Sequence, residues 1–275
     1  MPAPALFVTG GLSMYFGAAL AVVLFTQLSP ASVAWLRIMG AAVVLVLWRR
    51  PWRFAWRRRT FLLASAFGVV TGVMNIAFYE AIARLPLGTA VSLEFVGPVA
   101  VAAFGSRSLR HVSALLLVVA GVVLIAEVRW AGSPLGVLYA LTAAACWAGY
   151  ILLGRRLATD AGGVDGLAVG FAAAAVVLSP FALGTGPAWG SPRVLGIAVG
   201  MGVLSTVVPY ALDQVVLKRA GHVRFALLPV TAAVLGFLVL RQVPSVVEAV
   251  GILAVVGGLV LRGPEPTDEL TEPPG

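Results

Sequence analysis

Long apolar runs, separated by short segments that contain charges, glycine or proline, occupy most of this sequence. A transmembrane helix needs about 20 mostly apolar residues, so ten of them would use about 200 of the 275 residues. Only 11% of the residues are charged, whereas a soluble domain carries about a quarter. The pattern excludes most soluble folds and predicts an all-α integral membrane protein with ten transmembrane helices. The runs lie near residues 5–25, 31–48, 60–83, 89–104, 112–126, 135–153, 166–183, 194–217, 225–240 and 246–261.

The arginine and lysine residues alternate between the predicted loops. With the N-terminus inside, the inner loops contain fourteen of them and the outer loops contain only Arg84, Arg129, Arg193 and Arg241. Basic residues collect in the cytoplasmic loops of membrane proteins, so the sequence predicts cytoplasmic N- and C-termini in an inner or plasma membrane. The formal net charge of +8 has the same explanation, and no nucleic-acid partner is expected.

Motifs of enzymes and of cofactor sites do not occur in the sequence. His111 and His222 fall in predicted loops and form no metal-binding pair, and there is no glycine-rich phosphate loop with its lysine. The single cysteine, Cys146, cannot form an intramolecular disulfide. We therefore expect no enzymatic activity, no cofactor and no metal. Residues 263–275 are rich in proline and acidic residues, which predicts a disordered tail.

The two halves of the sequence share a weak internal similarity. Pro98-Val99 recurs as Pro229-Val230, and Gly105 recurs as Gly236, at the same offset of 131 residues. Because five helices per copy is an odd number, the second copy must enter the membrane from the opposite side, and such inverted repeats are common in transporters. The predicted organisation is a first five-helix repeat at residues 1–130, a second at 131–262 and the tail at 263–275.

Glu94 lies in the middle of the fourth run, where an ionisable side chain is costly and is therefore a functional candidate. A proline within a helix leaves the carbonyl four residues earlier without its hydrogen-bond donor, and Pro98 does so for Glu94. A carboxylate and an open carbonyl together would suit a cation, an ammonium group or a proton. The alternative is an ordinary kink in which Glu94 bonds to a neighbouring helix.

Asp213 in the eighth run lies four residues after Pro209, and Pro209 leaves the carbonyl of Ser205 without its hydrogen-bond donor. An acid and an open carbonyl therefore again share one face of a helix. An interfacial salt bridge with Lys218-Arg219 would explain Asp213 equally well. Arg37, in the second run, is a fixed positive charge that either binds an anionic group or pairs structurally with an acid. The predicted helix breaks are at Pro98, Pro209 and Pro229.

Aromatic and polar side chains form three pairs with helical spacing, so each pair shares one face of its helix. Such faces can line a small polar cavity, although tyrosine and tryptophan also anchor helices at the membrane interface. The pairs are Asn75 with Tyr79, Trp147 with Tyr150, and Tyr210 with Gln214.

Four further residues of the apolar runs have a structural interpretation. Gly68 and Gly72 have the small-xxx-small spacing of closely packed membrane helices. Glu80 and Glu248 lie near the ends of their runs. We expect both acids to be boundary residues that extend toward the membrane interface.

The stretch from Pro86 to Pro98, together with Asn75 to Tyr79, resembles the first half of the EamA-type transporters of the drug/metabolite transporter superfamily, in the branch of bacterial threonine/homoserine exporters. Residues 146–152 and 205–213 are similar to the same branch. The resemblance implies two inverted five-helix repeats, a central cavity walled mainly by the third, fourth, eighth and ninth helices, and export of small amino acids or related metabolites. The sequence departs from the family before Pro229, where it is about one helical turn shorter.

The resemblance and the polar residues together predict a secondary transporter that works by alternating access between the repeats. Glu94 would hold the substrate ammonium group or a coupling proton, because burial favours the neutral form of a carboxyl group. Arg37 or a helix N-terminus would meet the substrate carboxylate. The other expected substrate or coupling residues are Asn75, Tyr79, Trp147, Tyr150, Tyr210 and Asp213.

The expected partners are a small-molecule substrate and the lipid bilayer, with protons as the candidate coupling ion. Two alternatives remain open at this point. One is an exporter of drugs or other metabolites, and the other is a membrane protein that binds or scaffolds without transporting.

Overall fold

The computed structural model describes residues 3–53, 56–104, 109–130, 133–159, 163–202, 204–205, 241 and 245–262. All regular elements among these residues are helical, as the composition predicts. The α-helices are α1 (Ala3–Leu24), α2 (Pro30–Arg49), α3 (Arg58–Ile82), α4 (Leu87–Glu94), α5 (Val96–Phe104), α6 (Leu109–Trp130), α7 (Pro134–Thr159), α8 (Gly163–Val177), α9 (Gly186–Trp189), α10 (Pro192–Gly202) and α11 (Val246–Arg262). Short 3₁₀ segments occur at Pro51–Arg53 and Ser179–Thr185.

Three of the described helices are long and apolar enough to cross a membrane, namely α2, α3 and the part of α7 that ends at Gly154. A fourth crossing results if Asp165–Val177 and Ser179–Trp189, which meet at a bend of 66°, are taken as one span. The further apolar stretches found in the described part are shorter, at Leu12–Leu24, Leu87–Val101, Val112–Ile125 and Val246–Gly258. The predicted ninth helix at 225–240 lies outside the described residues. The number of ten helices and the two-repeat boundaries therefore stay predictions.

Local signals set both ends of α2. The hydroxyl of Ser29 accepts a hydrogen bond from the N–H of Ser32 at 3.2 Å, which is the usual role of an N-cap serine. Pro30 follows at the start of the helix, where its missing N–H has no cost. At the other end Arg50 adopts a left-handed conformation with φ 49°, and its N–H bonds to the carbonyl of Val46. Both ends match the predicted run to within one residue.

The fourth predicted run is divided into two helices. α4 ends at Glu94, Phe95 forms a turn, and α5 begins at Val96. The sequence predicts this break, because Pro98 has no N–H to donate to the carbonyl of Glu94. Every residue of α4 is buried, so the break lies inside the helix bundle.

The helices pack in a small set of pairs. α3 lies against α7 and α8, α2 lies against α8 and α10, α1 lies against α10, and α6 lies against α11. Glycine allows the closest approach, because a Cβ on Gly68 of α3 would lie 1.9 Å from the carbonyl oxygen of Gly170 in α8. One turn later, a Cβ on Gly72 would lie 2.5 Å from the side chain of Leu178. The predicted packing role of Gly68 and Gly72 is confirmed.

The two acids that were expected to be boundary residues have different surroundings. Glu80 accepts hydrogen bonds from the N–H of Ala31 at 3.2 Å and from Arg84, so it caps the start of α2 near the surface. Glu248 is fully buried, and the expectation that it extends to the interface is wrong. Its carboxylate instead accepts a hydrogen bond of 2.7 Å from the hydroxyl of Thr89 in α4, because the first turn of α11 packs against that helix.

Candidate substrate site

The carboxyl group of Glu94 lies inside the helix bundle, at the break between α4 and α5. The residue is only 8% exposed, and no group of the described residues hydrogen-bonds to its carboxylate. The alternative interpretation is a kink in which Glu94 hydrogen-bonds to a neighbouring helix. The described part of the chain contains no such hydrogen bond. A buried acid without such a partner is costly to keep, which favours a functional role.

Arg37 of α2 carries the positive charge that acts on Glu94. The two side chains interact electrostatically, without a hydrogen bond between them. Arg37 donates from Nη2 to the carbonyl oxygen of Ser205 at 2.8 Å, and its guanidinium carbon lies 5.7 Å from the centre of the Tyr79 ring. A carbonyl oxygen and the face of an aromatic ring both stabilise a cation in apolar surroundings. We refer to Arg37, Tyr79 and Glu94 as the polar cluster.

The carbonyl of Ser205 is the one that the sequence predicts to be open, because Pro209 cannot donate to it. In the structure Arg37 donates to this carbonyl. The hydroxyl of Ser13 in α1 donates to the neighbouring carbonyl of Leu204 at 2.9 Å. Two helices from the start of the chain therefore supply donors to the backbone that follows α10.

Asn75 and Tyr79 are both buried in α3, at 7% and 0% exposure. The side-chain amide of Asn75 donates to the carbonyl of Thr71 at 2.7 Å, within its own helix. The hydroxyl of Tyr79 is buried and has no hydrogen-bond partner among the described residues. An unpaired buried hydroxyl costs about 1–3 kcal/mol, so the hydroxyl of Tyr79 is a donor that the described residues leave unused.

Trp147 and Tyr150 of α7 do not share one location. The ring of Trp147 packs edge-on against Phe95, the residue after Glu94, with ring centres 5.0 Å apart. Tyr150 packs against Phe67 at 4.9 Å, in a second apolar cluster outside the main core. The structure therefore places Trp147 beside the helix break and gives Tyr150 a packing contact elsewhere.

Four residues of the predicted site lie outside the described residues, and their roles stay predictions. They are Pro209, Tyr210, Asp213 and Pro229. Within the described part of the chain, no group of three or more histidine, cysteine, aspartate or glutamate side chains could hold a metal ion.

A groove of about 520 Å³ runs between α3 and α7. Its lining includes Leu138 and Leu141, which are 47% and 36% exposed, so it opens on the outer surface of the bundle. Cys146 forms part of its floor. The groove is apolar and outward-facing, and it differs in both respects from the predicted central cavity.

The link between Thr89 and Glu248 was missed by the sequence reasoning. Ser245 and Glu248 form a reciprocal cap at the start of α11, with the N–H of Ser245 donating to Glu248 at 3.0 Å and the N–H of Glu248 donating to Ser245 at 3.3 Å. This S-x-x-E capping box is readable in the sequence and places Glu248 at a helix start. Nothing in the sequence points to Thr89 as its partner.

A buried acid that a cationic side chain acts on, within a set of apolar helices, is the arrangement of a helical membrane protein with an internal polar site. The threonine/homoserine exporter RhtA of Salmonella typhimurium (strain SL1344) is 34% identical to it over 259 residues, which cover 89% of this chain and 85% of the relative. The exporter of the same name from Escherichia coli (strain K12) is 33% identical with the same coverage.

A family model described as the EamA-like transporter family matches residues 134–262. The chain belongs to this family and is a membrane transporter, as the resemblance predicts. One solved crystal structure is similar with a TM-score of 0.55 and 20% identity, over 92% of this chain and 96% of the other. That likeness is one of fold.

Proposed function

We propose that the chain is a secondary active transporter of the inner or plasma membrane that exports small amino acids, such as threonine and homoserine, by alternating access. Its N- and C-termini face the cytoplasm in this proposal. The names of the relatives, which are threonine/homoserine exporters, support the substrate class. The polar cluster supports it independently.

The observation that carries the proposal is the arrangement of Glu94 and Arg37. The two opposite charges act on each other inside the bundle without a direct hydrogen bond. A zwitterionic amino acid carries an ammonium group and a carboxylate on one carbon atom, so it can satisfy both residues at once. Glu94 would bind the ammonium group, and Arg37 with the hydroxyl of Tyr79 would bind the carboxylate. Each contact is strengthened by the low dielectric of the interior.

The helix pairs support a two-repeat architecture. In a two-repeat fold α7, α8, α10 and α11 are the counterparts of α1, α2, α3 and α6, in that order. When each helix is exchanged for its counterpart, the pair α1–α10 gives the pair α7–α3, and the pair α2–α10 gives the pair α8–α3. Both counterpart pairs occur, and α2–α8 and α6–α11 are counterparts of themselves. Inverted repeats that pack in this reciprocal way can exchange two conformations around a central site.

The contact of Arg37 with the carbonyl of Ser205 suggests how substrate would influence this exchange. The contact joins α2 to the backbone that follows α10. A substrate carboxylate would compete with the carbonyl for the same guanidinium donors. Binding would then replace a contact between two parts of the protein with a contact to substrate. A ligand shifts a conformational equilibrium only when it interacts differently with the two conformations, and this replacement would provide that difference.

Efflux of preloaded radiolabelled threonine or homoserine from proteoliposomes tests the proposal. Glu94→Gln removes the charge and keeps the size of the side chain. We expect a loss of transport of about tenfold or more, because a hydrogen bond to a charged group contributes about 1.5–3 kcal/mol. If Glu94 also carries the coupling proton, an imposed pH gradient stimulates the wild type and leaves Glu94→Gln unchanged.

Asp165→Asn is the matched control, because it makes the same carboxyl-to-amide change at a partly exposed salt bridge with Arg49. Its flux should stay near that of the wild type. Threonine amide, which has no carboxylate, should be a poor substrate whose transport is insensitive to Arg37→Gln. Equal flux by Glu94→Gln and the wild type over the whole pH range would refute the role of Glu94.

Two other outcomes would change the function itself. Export of drugs or other metabolites without export of any amino acid would replace the substrate class. Binding of ligands without flux of any of them would favour a protein that does not transport.

A further inference from the structure

The turn between α2 and α3 concentrates positive charge at the surface. We call residues 50–53 and 56–58 the arginine turn, because four exposed arginines lie in it, Arg50, Arg53, Arg57 and Arg58. The side chains of these arginines form no hydrogen bond or ion pair with the described residues. The first acidic residue of the whole sequence is Glu80, so no acid lies close in sequence to neutralise them.

One acid reaches this end of α2 from another helix, and it already forms a salt bridge. Asp165 of α8 accepts a hydrogen bond of 2.8 Å from Nε of Arg49, the last residue of α2. This salt bridge fixes the base of the arginine turn against α8. It leaves the charges of the turn itself without compensation from the described residues.

Two hydrogen bonds join described residues of the arginine turn. The N–H of Arg53 donates to the carbonyl of Arg50 at 3.0 Å. The indole of Trp56 donates to the carbonyl of Pro51 at 2.8 Å and packs on the apolar cluster that contains Phe67. These contacts tie Arg53 to Arg50 and Trp56 to Pro51, so the described residues on either side of the turn are held together.

Two exposed tryptophans mark the depth of the arginine turn in the membrane. Trp48 is 68% exposed at the end of α2, and Trp52 is 64% exposed within the turn. Tryptophan is enriched where the hydrocarbon meets the headgroups, because its ring is apolar and its N–H is polar. We therefore expect the arginines beside these two rings to lie at the level of the lipid phosphates.

We propose that the arginine turn is a binding site for the headgroup of an anionic phospholipid, such as phosphatidylglycerol. The planar guanidinium groups of Arg53 and Arg57 offer paired donors that match the oxygens of a phosphate. Trp48 and Trp52 offer apolar surface to the acyl chains of the same molecule. A free phosphate ion would use only the first of these two features.

Tryptophan fluorescence of the full chain in mixed micelles tests this site. Brominated phosphatidylglycerol, a quencher, is titrated beside brominated phosphatidylcholine. We expect phosphatidylglycerol to quench the wild type at lower concentration, and W52F to lose part of that quenching. R53Q/R57Q should weaken the apparent affinity by roughly five-fold per arginine, since a basic residue near an anionic surface contributes about that factor.

The charge-matched control is R193Q/R241Q, which removes two exposed arginines far from the arginine turn in sequence. Its affinity for phosphatidylglycerol should equal that of the wild type. Equal quenching by the two lipids, or an equal loss in both double variants, would overturn the proposal. Free phosphate that displaces the brominated lipid at low millimolar concentration would also contradict it, because the tryptophans would then contribute nothing. Transport is not measured, so the result does not depend on the proposed function.

Discussion

Replacing Gly97 by alanine is expected to force α5 and α7 apart. A Cβ on Gly97 would lie 2.0 Å from the carbonyl oxygen of Ala144, whereas ordinary contact begins near 3.4 Å. The atom it meets belongs to a helix backbone, which cannot turn aside as a flexible side chain can. One of the two helices must therefore move by about 1.4 Å, the difference between these distances.

The energetic cost of Gly97→Ala has two opposing contributions. Overfilling a packed interior costs about 1–3 kcal/mol, and alanine is up to about 1 kcal/mol better than glycine within a helix. With the full gain subtracted, a net loss of up to about 2 kcal/mol in the free energy of unfolding remains. The shift also moves the contact between Phe95 and Trp147, so we expect slower transport as well as lower stability.

Gly40→Ala is the control for this substitution, because Gly40 lies on the exposed face of α2 and a Cβ there would meet nothing within 4 Å. That variant should be as stable as the wild type or slightly more so. The measurement is reversible unfolding in mixed micelles of sodium dodecyl sulfate, followed by circular dichroism, together with efflux. If Gly97→Ala unfolded at the same denaturant fraction as Gly40→Ala and transported equally well, the argument from close packing would fail.

Two further buried hydrogen bonds are tested by substitution with the same unfolding measurement. Thr89→Val and Glu248→Met each remove one partner of the bond between these side chains. They should show a coupling energy of about 0.6–2 kcal/mol in a double-mutant cycle, the range for polar pairs in membrane bundles; simple additivity would mean that the two side chains do not interact. Trp35→Phe removes a donor that bonds to the carbonyl of Ala175 at 3.0 Å, so it should cost about 0.5–1.5 kcal/mol. Trp48→Phe, at an exposed position, should cost less than about 0.5 kcal/mol, and an equal cost at both positions would contradict this reading.

The ends of the early helices are predictable from the sequence because the signals are local. Ser29-Pro30 is a start signal for α2, and the arginines that follow Trp48 end the apolar run. The break after Glu94 is predictable for the same reason, since Pro98 acts on a carbonyl only four residues away. In each case the cause lies within a few residues of its effect.

The partners of the polar groups are not predictable in this way. The open carbonyl of Ser205 follows from Pro209, but its donor, Arg37, is 168 residues away. Which side chain donates to an open carbonyl depends on how the helices pack in three dimensions. The weak apolar periodicity of these helices does not encode that packing. The same limit explains why Glu248 was expected at the interface, although its hydrogen bond to Thr89 lies inside the bundle.

The bond between Thr89 and Glu248 also has a consequence for biosynthesis. The two residues are 159 positions apart, so at roughly 5–20 residues per second the ribosome supplies the carboxylate about 8–30 s after the hydroxyl. During that interval α4 is in the membrane without its final acceptor, and α6 is without the helix it packs against. A nascent chain that stops before Glu248 would present both defects to the proteases of the membrane, so α11 is needed to complete the packing of helices that are made before it.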